Sequence, residues 1–474
     1  MLKSNRLLIS FYKTRINSKI LTSIISAGSF IFYTFATQKV ESKLMNNKIL
    51  RLAIPNIISN ITIPLLGLVD IILMGHFGNQ SYIGAIAIGT MIFNIIFWAF
   101  GFLRMGSSGF TAQAYGRRDM QEAVMVLARS LTLAIISGFV IILMQNPILF
   151  LAFKLIGIST EIETITSQYY YIRIYTAPAT IALIAIIGWL TGMQNAKTPM
   201  IIAIFVNVTN IIYSLFFVKV LNMKAEGIAL GSLLAQYTGI IFAVWMLYKH
   251  YGKILKKISL KKLKTLKPFL NFLSVNKDIF IRTLLIIITI SFFTTQSAKM
   301  GNSILAGNTL LYQFFIFFSY FMDGFAFAAE SLVGKYYGAK DKIMLKKTIK
   351  KLFIWGSGIC IIFTIIFIIF GKMLLPVLTD NKETLLIANK YFYWVYFLPI
   401  TTFSAFLWDG IYVGTTSSVA MRNSMIISVV LLFFPLYFLV FKEMGNNGLW
   451  ITFLIFLSSR GILLQLISRK HIYR

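Results

Sequence analysis

The hexapeptides AYGRRD (Ala114–Asp119) and YYGAKD (Tyr336–Asp341) stand 222 residues apart. The same shift lays Gly116 on Gly338, Asp119 on Asp341, Tyr169 and Tyr171 on Tyr391 and Tyr393, Gly188 on Gly410, and Gly192 on Gly414. A shift of 221 brings AEGIAL onto NNGLWI through Gly227 and Gly448. Glycine and polar residues that match at nearly one offset across several segments mark an internal repeat. The chain therefore reads as two related halves.

Composition says what solvent the halves occupy. Of 474 residues, 58% are hydrophobic and 13% charged, and the mean hydropathy is +0.79. A soluble chain of this length needs far more polar surface, so this one belongs in a bilayer. Apolar runs of about 20 residues or more read as spanning helices, and there are twelve. Spans 1–6 fall in an N-lobe, 45–248, and spans 7–12 in a C-lobe, 278–474, joined by a basic cytoplasmic linker, 249–277. Lys and Arg collect in the loops after even-numbered spans, as in GRRD, NAKTP and AMRNS, which places those loops and both ends of the core in the cytoplasm. Loops such as GHFGNQS and ISTEIET read as external. An even number of spans per half keeps both halves in one orientation, a parallel repeat about the membrane normal. The expected fold is thus an all-α polytopic protein with two pseudo-symmetric six-helix bundles facing each other across a cavity.

Several chemistries are excluded. Cys360 is the one cysteine, and His76, His250 and His471 are scattered, so neither an intramolecular disulfide nor a Cys/His metal site forms. No phosphate-binding loop motif and no catalytic constellation is present, which argues against ATP drive and against an enzyme. The net charge of +30 follows the loops and so reports topology rather than nucleic acid. Residues 1–44 fit poorly: the apolar stretch Ile20–Ala36 is flanked by basic residues on both sides. Met45 is the expected physiological start, or the preceding segment a dispensable interfacial helix.

Acids at membrane depth need a reason, because one carboxylate at mid-helix costs about 2.5 to 3.5 kcal/mol on insertion scales. Four acids qualify: Asp70, Asp323, Glu330 and Asp409. One explanation is ion pairing with Arg104, Arg129, Arg173 or Arg282. The other is function. Pro64 opens span 1 at Asn60, and Asn56, Asn60 and Gly67 form a polar stripe with Asp70 at its edge. Burial favours the neutral form of a carboxylate and a nearby cation favours the charged form, so an acid balanced between them exchanges a proton for a cation. In span 5, Asn207, Asn210 and Ser214 share a face, readable as interhelical hydrogen bonding or as a binding surface. In span 8, Gln313, Tyr320, Asp323 and Glu330 occupy one sector, and the phenylalanine-rich sequence around them reads either as lipid-facing or as the lining of a cavity for flat hydrophobic cations. Span 9 and most of span 3 read as lipid-facing.

The segments ILRLAIPNIISNITIPLLGLVDIILMGHFG, FGFLRMGSSGFTAQAYG, GWLTGMQNAKTP, KDIFIRTLL, YFMDGFAFAAESLVGKYYGAKD and LWDGIYVGTTSSVAMRNSM together resemble the multidrug and toxic compound extrusion (MATE) transporters, in their DinF-like branch. The likeness runs from about Met45 to the C-terminus. It implies a multi-pass inner-membrane antiporter that exports organic, often cationic, compounds against protons or sodium as two lobes rock. Asp70 matches the family's protonation site of the first span. Asn210 matches the asparagine of a span-5 Asn-x-x-x-Asp pattern whose aspartate is Ser214 here, which favours the proton over sodium. Asp409 matches the acid of span 10 that in other branches joins a C-lobe cation site. The expected partners are the bilayer and a small organic substrate; no cofactor or resident metal is expected, and the assembly is read as a monomer. The rival is a flippase for a lipid-linked or amphipathic metabolite, which would need more cavity arginine than Arg104 and Arg282 supply.

Overall fold

The computed structural model describes residues 42–62, 80–156, 160–259 and 265–472. The expectations placed on residues 1–41, Pro64, Gly67 and Asp70 lie outside the described residues. The chain divides into two compact units, Met1–Lys48 and Ile49–Arg474. In the first, residues 42–48 are helical; everything below concerns the second.

Among the described residues there is no strand, and ten helices are long and apolar enough to cross a membrane. Helical residues 49–62 (α1) begin span 1. Span 2 is α2 (Gln80–Ala99) and α3 (Gly101–Gly116), broken at Phe100. Span 3 is α4 (Met120–Leu143), followed by the shorter α5 (Gln145–Ile156). Span 4 is α6 (Thr160–Arg173) and α7 (Ala177–Gly192), joined by a 3₁₀ turn. Pro178 is tolerated at the start of α7, where its missing N–H has no helical partner to lose. Spans 5 and 6 are α8 (Lys197–Leu215) and α9 (Ala225–Leu255).

The second half repeats the order. Spans 7, 8 and 9 are α10 (Leu266–Lys299), α11 (Asn302–Gly338) and α12 (Lys342–Leu378). Span 10 is α13 (Lys382–Tyr391) with α14 (Tyr393–Gly414). Span 11 starts as α15 (Ser418–Ile426) and continues through wider π turns to Phe441, and span 12 is α16 (Asn446–His471). The stretch read as a linker is helical through Leu255 and again from Leu266. Span 9 carries a row of exposed isoleucines, Ile354, Ile361, Ile365 and Ile368, as a lipid-facing helix should.

The repeated hexapeptides now have a physical meaning. Each closes one helix and opens the next. Arg118 and Lys340 hold positive φ angles of 61° and 56°, and the next N–H reaches back five residues, Asp119 to the Ala114 carbonyl at 2.9 Å and Asp341 to that of Tyr336 at 3.0 Å. This is the Schellman closure of a helix end. The aspartates then cap α4 and α12, accepting from the N–H of Glu122 and of Met344, both at 2.9 Å. Gln194 and Thr416, also 222 apart, repeat the closure after α7 and α14.

The glycines of those turns bring the halves together. A Cβ on Gly116 would stand 2.8 Å from the Lys335 carbonyl carbon, and one on Gly338 would stand 2.6 Å from Gln113 Cα. Lys335 is the 222-shifted equivalent of Gln113, so α3 and α11 cross in a reciprocal, glycine-mediated contact at their basic ends. Two glutamines tie the same end. Gln113 Nε2 donates to the Gly414 carbonyl at 2.9 Å and to Thr416 Oγ1 at 3.1 Å. Gln194 Nε2 donates to the Ser331 carbonyl and hydroxyl, both at 2.7 Å.

Candidate functional site

Helix α11 supplies the charged sector. Asp323 and Glu330 are seven residues apart, two turns of one helix face or about 10 Å along its axis. The side chain of Glu330 is 1% exposed and accepts a hydrogen bond from Arg104 Nη1 of α3 at 3.2 Å, so this ion pair joins the two halves. The Arg104 guanidinium also lies 3.9 Å above the Phe327 ring, a favourable stacking for a cation. Its backbone is backed by Gly188, where a Cβ would come within 2.8 Å of Arg104 Cα.

The second group is built within the C-lobe. Asp409 of α14 is followed by Gly410, whose added Cβ would lie 2.9 Å from Ala326 Cα; the glycine lets α14 approach α11 closely. Asp409 Oδ2 accepts from Arg460 Nη2 of α16 at 2.6 Å and from Arg282 Nη2 of α10. All three side chains are buried. Two guanidiniums on one carboxylate leave an excess of positive charge. Asp323, half-buried, lies within electrostatic range of Arg104, Arg282, Arg460 and Asp409, so three acids face three arginines. Asp323 makes no ion pair or hydrogen bond among the described residues, and Nε of Arg282 and of Arg460 is buried without a partner there. The cluster thus keeps an unengaged carboxylate and two unengaged donors.

The remaining predicted residues are spread along the bundle. Asn60 donates to the Tyr320 carbonyl at 3.2 Å, tying α1 to α11, and Asn207 donates to the Thr62 carbonyl at 3.2 Å, tying α8 to α1. Asn210 is buried and donates to Ser232 Oγ of α9 at 3.0 Å, while Ser214 donates to Asn210 Oδ1 at 3.4 Å. The polar face of span 5 is therefore engaged in hydrogen bonds, Asn207 to α1, Asn210 to α9 and Ser214 within α8. Tyr320 is half-buried and within electrostatic range of Asp323; Gln313 is exposed. Of the arginines considered as partners, Arg104 and Arg282 pair with depth acids, and Arg129 pairs with Glu122 at 2.6 Å.

Sequence reasoning misses Arg460, buried in span 12, and Asp278, buried near the start of the C-lobe. Asp278 is 1% exposed, accepting from Ser418 Oγ at 2.9 Å and Arg422 Nη1 at 2.7 Å. An arginine inside the apolar run FLIFLSSRGILLQ was a usable signal, since a charge at depth calls for a partner.

Comparison with known proteins agrees with this architecture. The MatE family model matches residues 55–216 and again 279–439, one stretch in each half. The chain is 34% identical over 422 residues to DNA damage-inducible protein F of Escherichia coli K12, covering 89% of this chain and 91% of that protein. It is 24% identical over 437 residues to a probable multidrug resistance protein NorM of Photorhabdus laumondii, covering 89% and 95%. Among solved structures, a MOP superfamily transporter from Pyrococcus furiosus superposes with a TM-score of 0.80 at 20% identity, over 90% of this chain and 96% of that one. With its two glycine-joined bundles and these matches over most of its length, the chain belongs to the MatE family of membrane transporters.

Proposed function

We propose that this protein exports organic, cationic or amphipathic compounds across the cytoplasmic membrane in exchange for protons, by alternating access of its two lobes. What carries the reading is Asp323. Glu330 and Asp409 are held by arginines, whereas Asp323 is half-buried, unengaged among the described residues and beside Tyr320. A lone carboxylate flanked by an aromatic suits a flat organic cation. Asp70 is assigned the proton. Ser214 stands where the family pattern has a second acid, and a single desolvated carboxylate favours protonation over sodium binding. Proton and cationic substrate then compete, so substrate affinity rises with pH, and by linkage the substrate promotes proton release.

The test is flux of a cationic dye in proteoliposomes under an imposed proton gradient and, separately, a sodium gradient. Asp70→Asn is expected to bind dye with a flattened pH dependence and to lose gradient-driven exchange, and Asp323→Asn to weaken dye binding. Full proton-driven export by Asp70→Asn, or drive by sodium alone, would refute the assignment.

A second reading has an observation of its own. Arg460 brings the arginines of the cluster to three, two of them buried with Nε unpartnered among the described residues, which suits an anionic or amphipathic substrate as a flippase would take. The Pyrococcus furiosus relative is described as having a binding pocket of reverse polarity. Movement of an anionic amphiphile that survives Asp323→Asn and is lost in Arg460→Gln would favour this alternative.

A further inference from the structure

A groove of about 660 Å³ runs along the C-lobe between α12, α14 and α16. On α12 it is lined by Lys346, Lys350, Ile354 and Ile361, which fall on one helix face, with Trp408 of α14 and Gln465 of α16 opposite. The two exposed lysines lie one and two turns from the start of α12, at the basic-loop end, and the exposed isoleucines lie further along. From Lys350 to Ile361 the helix rises by about 17 Å. The groove therefore changes along its length from cationic to apolar, in the direction of the membrane normal. Its floor is open: a Cβ on Gly358 would meet nothing within 4 Å. In its wall, the buried Trp408 Nε1 has no hydrogen-bond partner among the described residues.

We propose that this groove is a binding site for an anionic phospholipid of the leaflet at the basic end, its headgroup on Lys346 and Lys350 and an acyl chain along Ile354 and Ile361. The charge order fits that occupant and no neutral one: an apolar slot alone takes any lipid tail, whereas two lysines at its headgroup end select a negative charge. Each lysine near an anionic lipid surface is worth about a fivefold preference, so the factor is roughly 5 if one lysine engages the headgroup and roughly 30 if both do.

The test uses the full chain in nanodiscs and follows the part of the tryptophan emission that Trp408→Phe removes. Phosphatidylglycerol brominated in its acyl chains is expected to quench it at a mole fraction roughly 5 to 30 times lower than brominated phosphatidylcholine does. Lys346→Gln with Lys350→Gln should bring the two curves together. Gly358→Leu, which fills the floor, should weaken quenching by both lipids, and since the lysine variant alters only exposed side chains it decides the matter if the leucine variant fails to fold. Identical curves for the two lipids in the unaltered protein, or a phosphatidylglycerol preference untouched by the lysine substitutions, would overturn the proposal.

Discussion

Replacing Gly116 and Gly338 by alanine should unlock the basic end of the bundle. The new methyl groups would stand 2.8 Å from the Lys335 carbonyl carbon and 2.6 Å from Gln113 Cα, against the 3.5 to 4.0 Å that carbon atoms prefer. The obstacles are backbone atoms, which cannot rotate aside, so α3 and α11 must part by about 1 Å. Over-packing of this kind costs about 1–3 kcal/mol. The strain acts only while the two helix ends are in contact, so under the proposed alternating access it shifts the equilibrium between contacting and separated lobes by a factor of roughly 5 to 150. The assay is a spin-label distance between cysteines placed at the exposed positions Arg117 and Ala339, in a background lacking Cys360. The double alanine variant should show a new, longer distance population. Gly101→Ala, whose Cβ meets nothing within 4 Å, is the control and should leave the distribution unchanged. An unaltered distribution in the double variant would refute the view that this contact holds the lobes together.

Asp409→Asn leaves Arg282 and Arg460 facing each other without their carboxylate. It should destabilise the C-lobe by about 3–5 kcal/mol, seen as a lowered Tm in detergent and partly restored by adding Arg460→Gln; an unchanged Tm would mean the two arginines find other anions. For topology, a reporter fused after Lys264 should read cytoplasmic and one inserted near Gly157 external, and reversed readings would overturn the positive-inside assignment.

The architecture was legible because hydropathy and glycine spacing are local properties of a sequence. Apolar runs place the helices, and the 222-residue offset correctly pairs Gly116 with Gly338 and Asp119 with Asp341. Even there, sequence identified the glycines without saying what they touch. The site was legible in part: Glu330, Asp409, Arg104 and Arg282 were singled out, and all four are engaged in ion pairs. Arg460 was not, since helical periodicity fixes which face of α16 it occupies and says nothing of α14 as its neighbour. The same limit applied to Asn210 and Ser214. Their shared face was evident, but Ser232, the residue opposite, is set by how α9 packs. The π turns of span 11 have no comparable signature in residue order.

The repeat shapes the frame and stops short of the charges. Shifted by 222 residues, Arg104 falls on Ala326, Asp323 on Gly101, Glu330 on Ser108, Asp409 on Ile187, Arg282 on Asn60 and Asp70 on Phe292. Each of these six ionisable residues has an uncharged twin. A cleft between two identical shells would accept a ligand equally well in either of two poses related by the twofold axis. Here the shells match in shape and differ in field, which lifts that degeneracy. If the protein exports an organic cation as proposed, such a ligand held across the axis is turned one way round, with its cationic end toward the lobe that carries Asp323.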